Sequence, residues 1–97
     1  MALKIQNTGN TYQLSGRLNS TIVKEIRPFF IHKIKESEIV TIDISDLDDI
    51  DLSGAMLMSD LYERAQKGYK TFKVLAKNNQ KILGPFRQLY TEYLLAA

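Results

Sequence analysis

The chain contains no cysteine. Disulfides, thiolate catalysis and cysteine-ligated zinc are therefore excluded, and a secreted fold framed by disulfides is disfavoured. No run reaches the ~18 apolar residues of a membrane-spanning helix. The start, Met1-Ala2-Leu3-Lys4-Ile5-Gln6, lacks the apolar stretch of a signal peptide. A cytoplasmic setting without membrane insertion is the expectation. The five glycines, at 9, 16, 54, 68 and 84, are dispersed, so there is no glycine-rich phosphate loop. The single histidine, His32, lies near Lys33 and Lys35 with no serine or cysteine nucleophile in a recognisable motif. It reads as a surface residue, and the chain reads as a non-enzyme. The lysines are scattered rather than clustered with aromatics, so direct nucleic-acid binding is not expected.

What is present is an ordinary globular composition of 97 residues, 44% apolar and 25% charged. That size predicts one domain, spanning 1–97. Net charge is +2, unevenly spread. Residues 43–51 hold five aspartates (Asp43, Asp46, Asp48, Asp49, Asp51) and no cation, so the remainder sums to +7.

Leu3-Lys4-Ile5-Gln6 and Thr11-Tyr12-Gln13-Leu14-Ser15 alternate apolar and polar residues around the turn cluster Asn7-Thr8-Gly9-Asn10. They predict a β-hairpin. Asn19 or Ser20 can cap a helix carrying Ile22, Val23, Ile26, Phe29, Phe30 and Ile34 at helical spacing. Pro28 inside it predicts a kink or a fresh start. The β-branched run from Glu38 to Ile44 predicts a central strand covered on both faces. An acidic loop follows. Gly54, Leu57, Met58, Leu61, Ala65 and Gly68 then mark one stripe of a second helix, with Gly68 as its C-terminal cap. Tyr69 to Ala76 is the next strand. Phe86, Leu89, Tyr90, Tyr93 and Leu94 predict a closing amphipathic helix after Gly84-Pro85.

The fold class is therefore α/β: a four-stranded mixed sheet with an N-terminal β-hairpin, later strands parallel, and helices packed on the sheet.

Ser53 is the leading chemical candidate. It sits where a strand-to-helix loop opens a helix, so it is either a phosphoacceptor or a helix N-cap. A phosphate there meets the partial positive charge of the helix start and the repulsion of Asp49 and Asp51. Gly54 leaves room for another protein's active site to approach. Met56 falls off the apolar stripe and suits an adaptable contact surface. The aspartates read as a solvated acidic rim rather than a metal site. A calcium loop would want alternating ligands, a central glycine and a closing glutamate.

Three features in order resemble the STAS domain family of sulphate transporters and anti-sigma factor antagonists. They are Leu14-Ser15-Gly16-Arg17-Leu18-Asn19, the strand Ile39 to Asp46, and Ile50-Asp51-Leu52-Ser53-Gly54. The resemblance covers roughly residues 3–83. It implies a phosphorylation-switched regulatory module in which a serine kinase, also the anti-sigma factor, modifies Ser53, and a PP2C-type phosphatase resets it. It implies no cofactor. By position Asn19, Asp49, Asp51, Leu52, Ser53, Gly54 and Met56 form the partner-binding surface, and the chain is a monomer or weak homodimer. Leu52 stands where the family's signature has its first serine, and Asn19 where it has an acid. The alternative is a docking subunit of a transporter ATPase complex of the lipid-transport type, in which Ser53 carries no phosphate.

Overall fold

The computed structural model describes residues 2–96. The chain runs β1 (Lys4–Thr8), β2 (Thr11–Leu18), α1 (Ser20–Glu36), β3 (Ile39–Ile50), α2 (Leu52–Lys67), β4 (Thr71–Leu75), α3 (Leu83–Gln88) and β5 (Leu95–Ala96). Short 3₁₀ turns precede α3 (Gln80–Ile82) and β5 (Glu92–Leu94). The sheet order is β1-β2-β3-β4-β5, antiparallel for β1–β2 and parallel thereafter. The four predicted strands are present, and β5 adds two residues at the edge.

The hairpin closes over Gly9 and Asn10, with Thr8 opposite Thr11. Gly9 has φ +61°, and the first of two loop residues is where a type II′ hairpin turn needs glycine. Each parallel crossover advances one strand in the same direction. Right-handed connections therefore put the helices on a single face of the sheet. That face holds Tyr12, Leu14 and Leu18 of β2, Val40, Ile42 and Ile44 of β3, and Phe72 and Val74 of β4, all buried. Leu57, Met58, Leu61 and Ala65 of α2, with Phe30 and Ile34 of α1, close the core from above.

The expectation that β3 is covered on both faces is corrected. Its alternate residues Thr41 and Ser45 are only half-buried, and their neighbours Thr71 and Lys73 are exposed. Asp43 shares that face and is buried locally. It accepts hydrogen bonds from the Ser45 N–H (2.9 Å) and hydroxyl.

Pro28 does not break α1, which is continuous from Ser20 to Glu36. The proline is exposed, so its missing donor lies on the solvated side of the helix. Phe29 is also on that side, 42% exposed, rather than in the core. Consecutive helical residues point ~100° apart, and Phe30 takes the inward position. Phe29 packs edge-on against Phe30 and Tyr12, with ring centroids 5.1 and 5.8 Å apart.

The predicted closing helix stops early. α3 ends at Gln88, and Tyr90 adopts φ +57°. Thr91 N–H then returns to Phe86 O at 2.8 Å and Tyr90 N–H to Arg87 O at 3.2 Å, the paired bonds of a Schellman termination. The chain turns back to lay Leu95 beside Val74. The end of α2 is built the same way. Lys70 N–H bonds Ala65 O at 2.8 Å and Tyr69 N–H bonds Gln66 O at 3.2 Å. The left-handed residue is Tyr69 (φ +59°), not Gly68.

Both tyrosines are almost wholly exposed, at 95% for Tyr69 and 91% for Tyr90. The left-handed conformation costs a residue with a Cβ about 1–2 kcal/mol, and glycine avoids that cost while gaining some unfolded-state entropy. Tyr69→Gly or Tyr90→Gly is therefore expected to stabilise the fold by about 0.5–1 kcal/mol. Urea denaturation with an unchanged m-value checks this, and a lower midpoint contradicts it.

Candidate functional site

Strands β2 and β3 end side by side, with Leu18 opposite Ile50. Each is followed by a single residue and then a helix, so the N-caps of α1 and α2 are neighbours. They are Asn19 and Asp51. Both backbones are extended, as a cap requires. Asn19 Oδ1 accepts the Ile22 N–H at 3.1 Å.

Asp51 does more. Its Oδ1 accepts the Gly54 N–H at 3.0 Å and the Ser53 hydroxyl at 2.5 Å. Its Oδ2 accepts the N–H of Ser20, the first residue of the neighbouring helix, at 3.0 Å. One carboxylate thus joins the starts of both helices, where both macrodipoles favour negative charge. The Asp51 N–H also extends the sheet ladder to Leu18 O at 3.2 Å. Partial burial raises the Asp51 pKa. The bonds from the Ser53 hydroxyl and from the Gly54, Ser20 and Ser53 amides together outweigh it, so the pKa lies below the usual carboxylate value.

Ser53 is the second residue of α2, not its cap, because Asp51 occupies that position. Its hydroxyl is half-buried and remains at the surface of the domain. Leu52 and Met56, one helical turn apart, flank it and are 43% and 57% exposed. Asn19 is exposed on the adjacent helix start. The structure thus brings Asn19, Asp51, Leu52, Ser53 and Met56 together at one end of the fold. Asp49 is exposed opposite Arg17 across the β2–β3 ladder, and because Leu18 and Ile50 beside them are buried under the helices, this pair lies on the other face of the sheet.

Gly54 is different. It is buried, and a Cβ there would meet Ile50 Cγ1 at 2.6 Å and Leu18 Cδ2 at 3.2 Å. Its missing side chain lets α2 sit tightly on the ends of β2 and β3. It does not clear a path from outside.

The acidic stretch is not one loop. Strand β3 continues to Ile50, and the strand-to-helix loop is Asp51 alone. The other four aspartates are therefore dispersed along a strand. Asp43 is buried and lies 3.8 Å from Lys77 Nζ. Asp46 accepts from Gln13 Nε2 at 2.7 Å, and Asp48 lies 3.7 Å from Lys81 Nζ. Of the five, only Asp51 is bonded to Ser53, so the anionic rim is narrower than the composition suggests. Among the described residues, no three His, Asp or Glu side chains converge to hold a metal ion.

Asn79, whose type and place before Ile82 already suit a cap, does cap the 3₁₀ turn Gln80–Ile82, its Oδ1 accepting the Lys81 N–H at 3.1 Å; its second role gives no signal in the sequence. Asn79 Nδ2 donates to Ile44 O at 3.0 Å and Leu47 O at 2.9 Å. Ile44 lies within the irregularity where the β2–β3 register shifts, between the pairs Gln13–Asp43 and Ser15–Asp46, and Leu47 lies just after it. Asn79 thereby sets the second half of β3, and with it Asp51.

A family model describing the STAS domain matches residues 2–87. No curated protein matches the sequence. Among solved structures, the anti-sigma factor antagonist SpoIIAA in its unphosphorylated form is similar, at 16% identity and TM-score 0.76. The match covers 98% of this chain and 86% of that one. The phosphorylated form of SpoIIAA, a Bacillus cell fate determinant, aligns at 16% identity and TM-score 0.70 over 98% of this chain and 89% of that one. An anti-sigma factor antagonist from Mycobacterium paratuberculosis aligns at 14% identity and TM-score 0.73, covering 97% and 81%. At these identities the likeness is one of fold.

Two outcomes test the site's construction. Asp51→Asn replaces Oδ2, or Oδ1, by a donor facing an N–H, at a cost of about 1–2 kcal/mol at neutral pH. Because the folded-state pKa is lowered, the carboxylate's contribution is complete above the ordinary value of about 4. It is lost as pH falls through the folded value. The stability gap between wild type and Asp51→Asn should therefore close on acidification below about pH 4; a gap independent of pH contradicts the assignment. Gly54→Ala should destabilise by about 1–3 kcal/mol through overpacking, although alanine is the better helix former. An unchanged denaturation midpoint would contradict the close packing.

Proposed function

The chain belongs to the STAS domain family, and we propose that it is a regulatory protein-interaction module of the anti-sigma factor antagonist kind, switched by phosphorylation of Ser53. The observation that carries this reading is the placement of the hydroxyl. It is at the surface on the second residue of α2, bonded to Asp51, and flanked by the exposed apolar side chains of Leu52 and Met56.

The chemistry of the switch follows from that position. The hydroxyl gives up one hydrogen bond to Asp51 when it is esterified, a loss of about 1 kcal/mol. The phosphate brings about −1.5 to −2 charges. The unpaired amides of the first turn of α2 attract it, while Asp51 repels it. Asp51 keeps its bonds to Ser20 and Gly54, so the two helix starts stay joined. The net result inside the domain is small. Outside it, an apolar contact patch acquires a dianion, and a partner seated on Leu52 and Met56 is driven off. That SpoIIAA has this fold in both its unphosphorylated and phosphorylated forms supports a switch by charge rather than by refolding.

The partner on this reading is a serine kinase that also acts as an anti-sigma factor, with a PP2C-type phosphatase restoring the hydroxyl. The domain acts by binding and not by turnover. Asn19, Asp51, Leu52, Ser53 and Met56 form the contact surface, and Gly54 supports it from below.

Phosphopeptide mapping of the protein recovered from its native cells tests the assignment. Phosphate is expected on Ser53, with none on the Ser53→Ala variant. Ser53→Asp is expected to weaken capture of the kinase at least tenfold, and Ser53→Ala to leave it within a few-fold of wild type. Phosphate on another residue, or recovery of a transporter ATPase as the stoichiometric partner with Ser53 unmodified, would overturn the reading.

A further inference from the structure

A second site lies at the opposite end of α2, roughly 20 Å from Ser53 by the helical rise. A cavity of about 330 Å³ opens where the last turns of α1 and α2 meet β4, lined by Ile31, Ile34, Lys35, Arg64, Lys67, Gly68 and Lys70. Four of these seven residues are cations and none is an acid. Its walls are mostly apolar, formed by the two isoleucines and the methylene stems of the long side chains.

Part of this charge has a structural use. Lys70 Nζ donates to Lys35 O and Ser37 O, each at 3.2 Å, and lies 3.7 Å from Glu38. Arg64 Nε lies 3.0 Å from Asp60, a carboxylate also paired with Arg27. Cations are also favourable at helix C-termini, but each such end carries only about −0.5 charge. With Lys70 and Arg64 paired to acids, two such ends still do not balance the two remaining lysines, Lys35 and Lys67. Among the described residues, Lys35 and Lys67 have no ion-pair partner.

An apolar slot whose rim carries two lysines without ion-pair partners is complementary to an amphiphilic anion. We propose that this slot binds a single-chain fatty-acid-like carboxylate, its tail against Ile31 and Ile34 and its head group between Lys35 and Lys67. The volume is at the small end of ligand pockets, which begin at roughly 300 Å³. That size admits one medium-length chain rather than a two-chain lipid.

Titration calorimetry of the intact protein with decanoate tests this. Saturable one-to-one binding is expected, tightening about fourfold per added methylene along a chain-length series until the slot is full. Binding should weaken at high salt. Acetate, which lacks the tail, should not bind. Decanol, which lacks the charge, should bind at least tenfold more weakly. Lys67→Glu reverses an exposed, unpaired charge, so folding should be retained while affinity for decanoate falls about tenfold. Absence of saturable binding, equal affinity for decanol and decanoate, or unchanged affinity in Lys67→Glu would each overturn the proposal. Cosedimentation with phosphatidylglycerol vesicles in the absence of decanoate binding would overturn it in favour of a membrane surface.

Discussion

The Asp51 carboxylate is the interaction on which the functional end of this molecule depends. Two parallel strands end in register, and each must turn directly into a helix. Each helix start presents unpaired amides and partial positive charge to the same small region. A single anion accepting from Ser20, Ser53 and Gly54 satisfies both starts at once. The alternative, two independent neutral caps, would satisfy each start separately without linking them. The same carboxylate orients the Ser53 hydroxyl, so the group proposed to be modified is held by the group that holds the architecture.

Packing beneath this junction leaves little freedom. Gly54 allows α2 to descend onto Ile50 and Leu18, and Leu57, Met58 and Leu61 then fill the core without exposure. Bulge and strand are held from the other side by Asn79. A rigid platform under a surface hydroxyl suits a switch that changes charge and leaves the backbone in place. The opposite end of α2 has the reverse character, with cations gathered around an apolar slot. The polarity of the helix dipole accounts for the signs at the two ends, but not for the excess of positive charge at the second.

Much of this was legible in the residues. The alternation in β1 and β2, the β-branched run of β3 and the apolar stripe of α2 gave the strand and helix order. The position of Ser53 at a helix start followed from them. What was not legible has identifiable physical causes. Asp46-Leu47-Asp48-Asp49 reads as loop by charge, yet it is strand, because its backbone pairs with Ser15 to Arg17 of β2, and Gln13, Lys81 and Asn79 support it from other elements. Gly54 next to a reactive hydroxyl reads as clearance for a partner, yet the constraint on it comes from the core. Phe29 and Phe30 share an apolar period, but only one of two consecutive helical residues can face inward. Tyrosine carries no left-handed signal, so the ends of α2 and α3 at Tyr69 and Tyr90 had to be seen in the backbone. The early stop of α3 is the larger consequence, since it frees the tail to add β5.

The central claim is that esterifying Ser53 changes the surface charge of a fixed scaffold. Backbone amide chemical shifts of the protein before and after stoichiometric phosphorylation test it most directly. The account predicts large changes confined to the first turns of α1 and α2, around Ser20 and residues 51–56, with β3, β4 and the body of α2 unmoved. Shift changes spread through the core strands, or loss of the Ser20 amide's downfield hydrogen-bonded position together with repacking of α1 against α2, would contradict it.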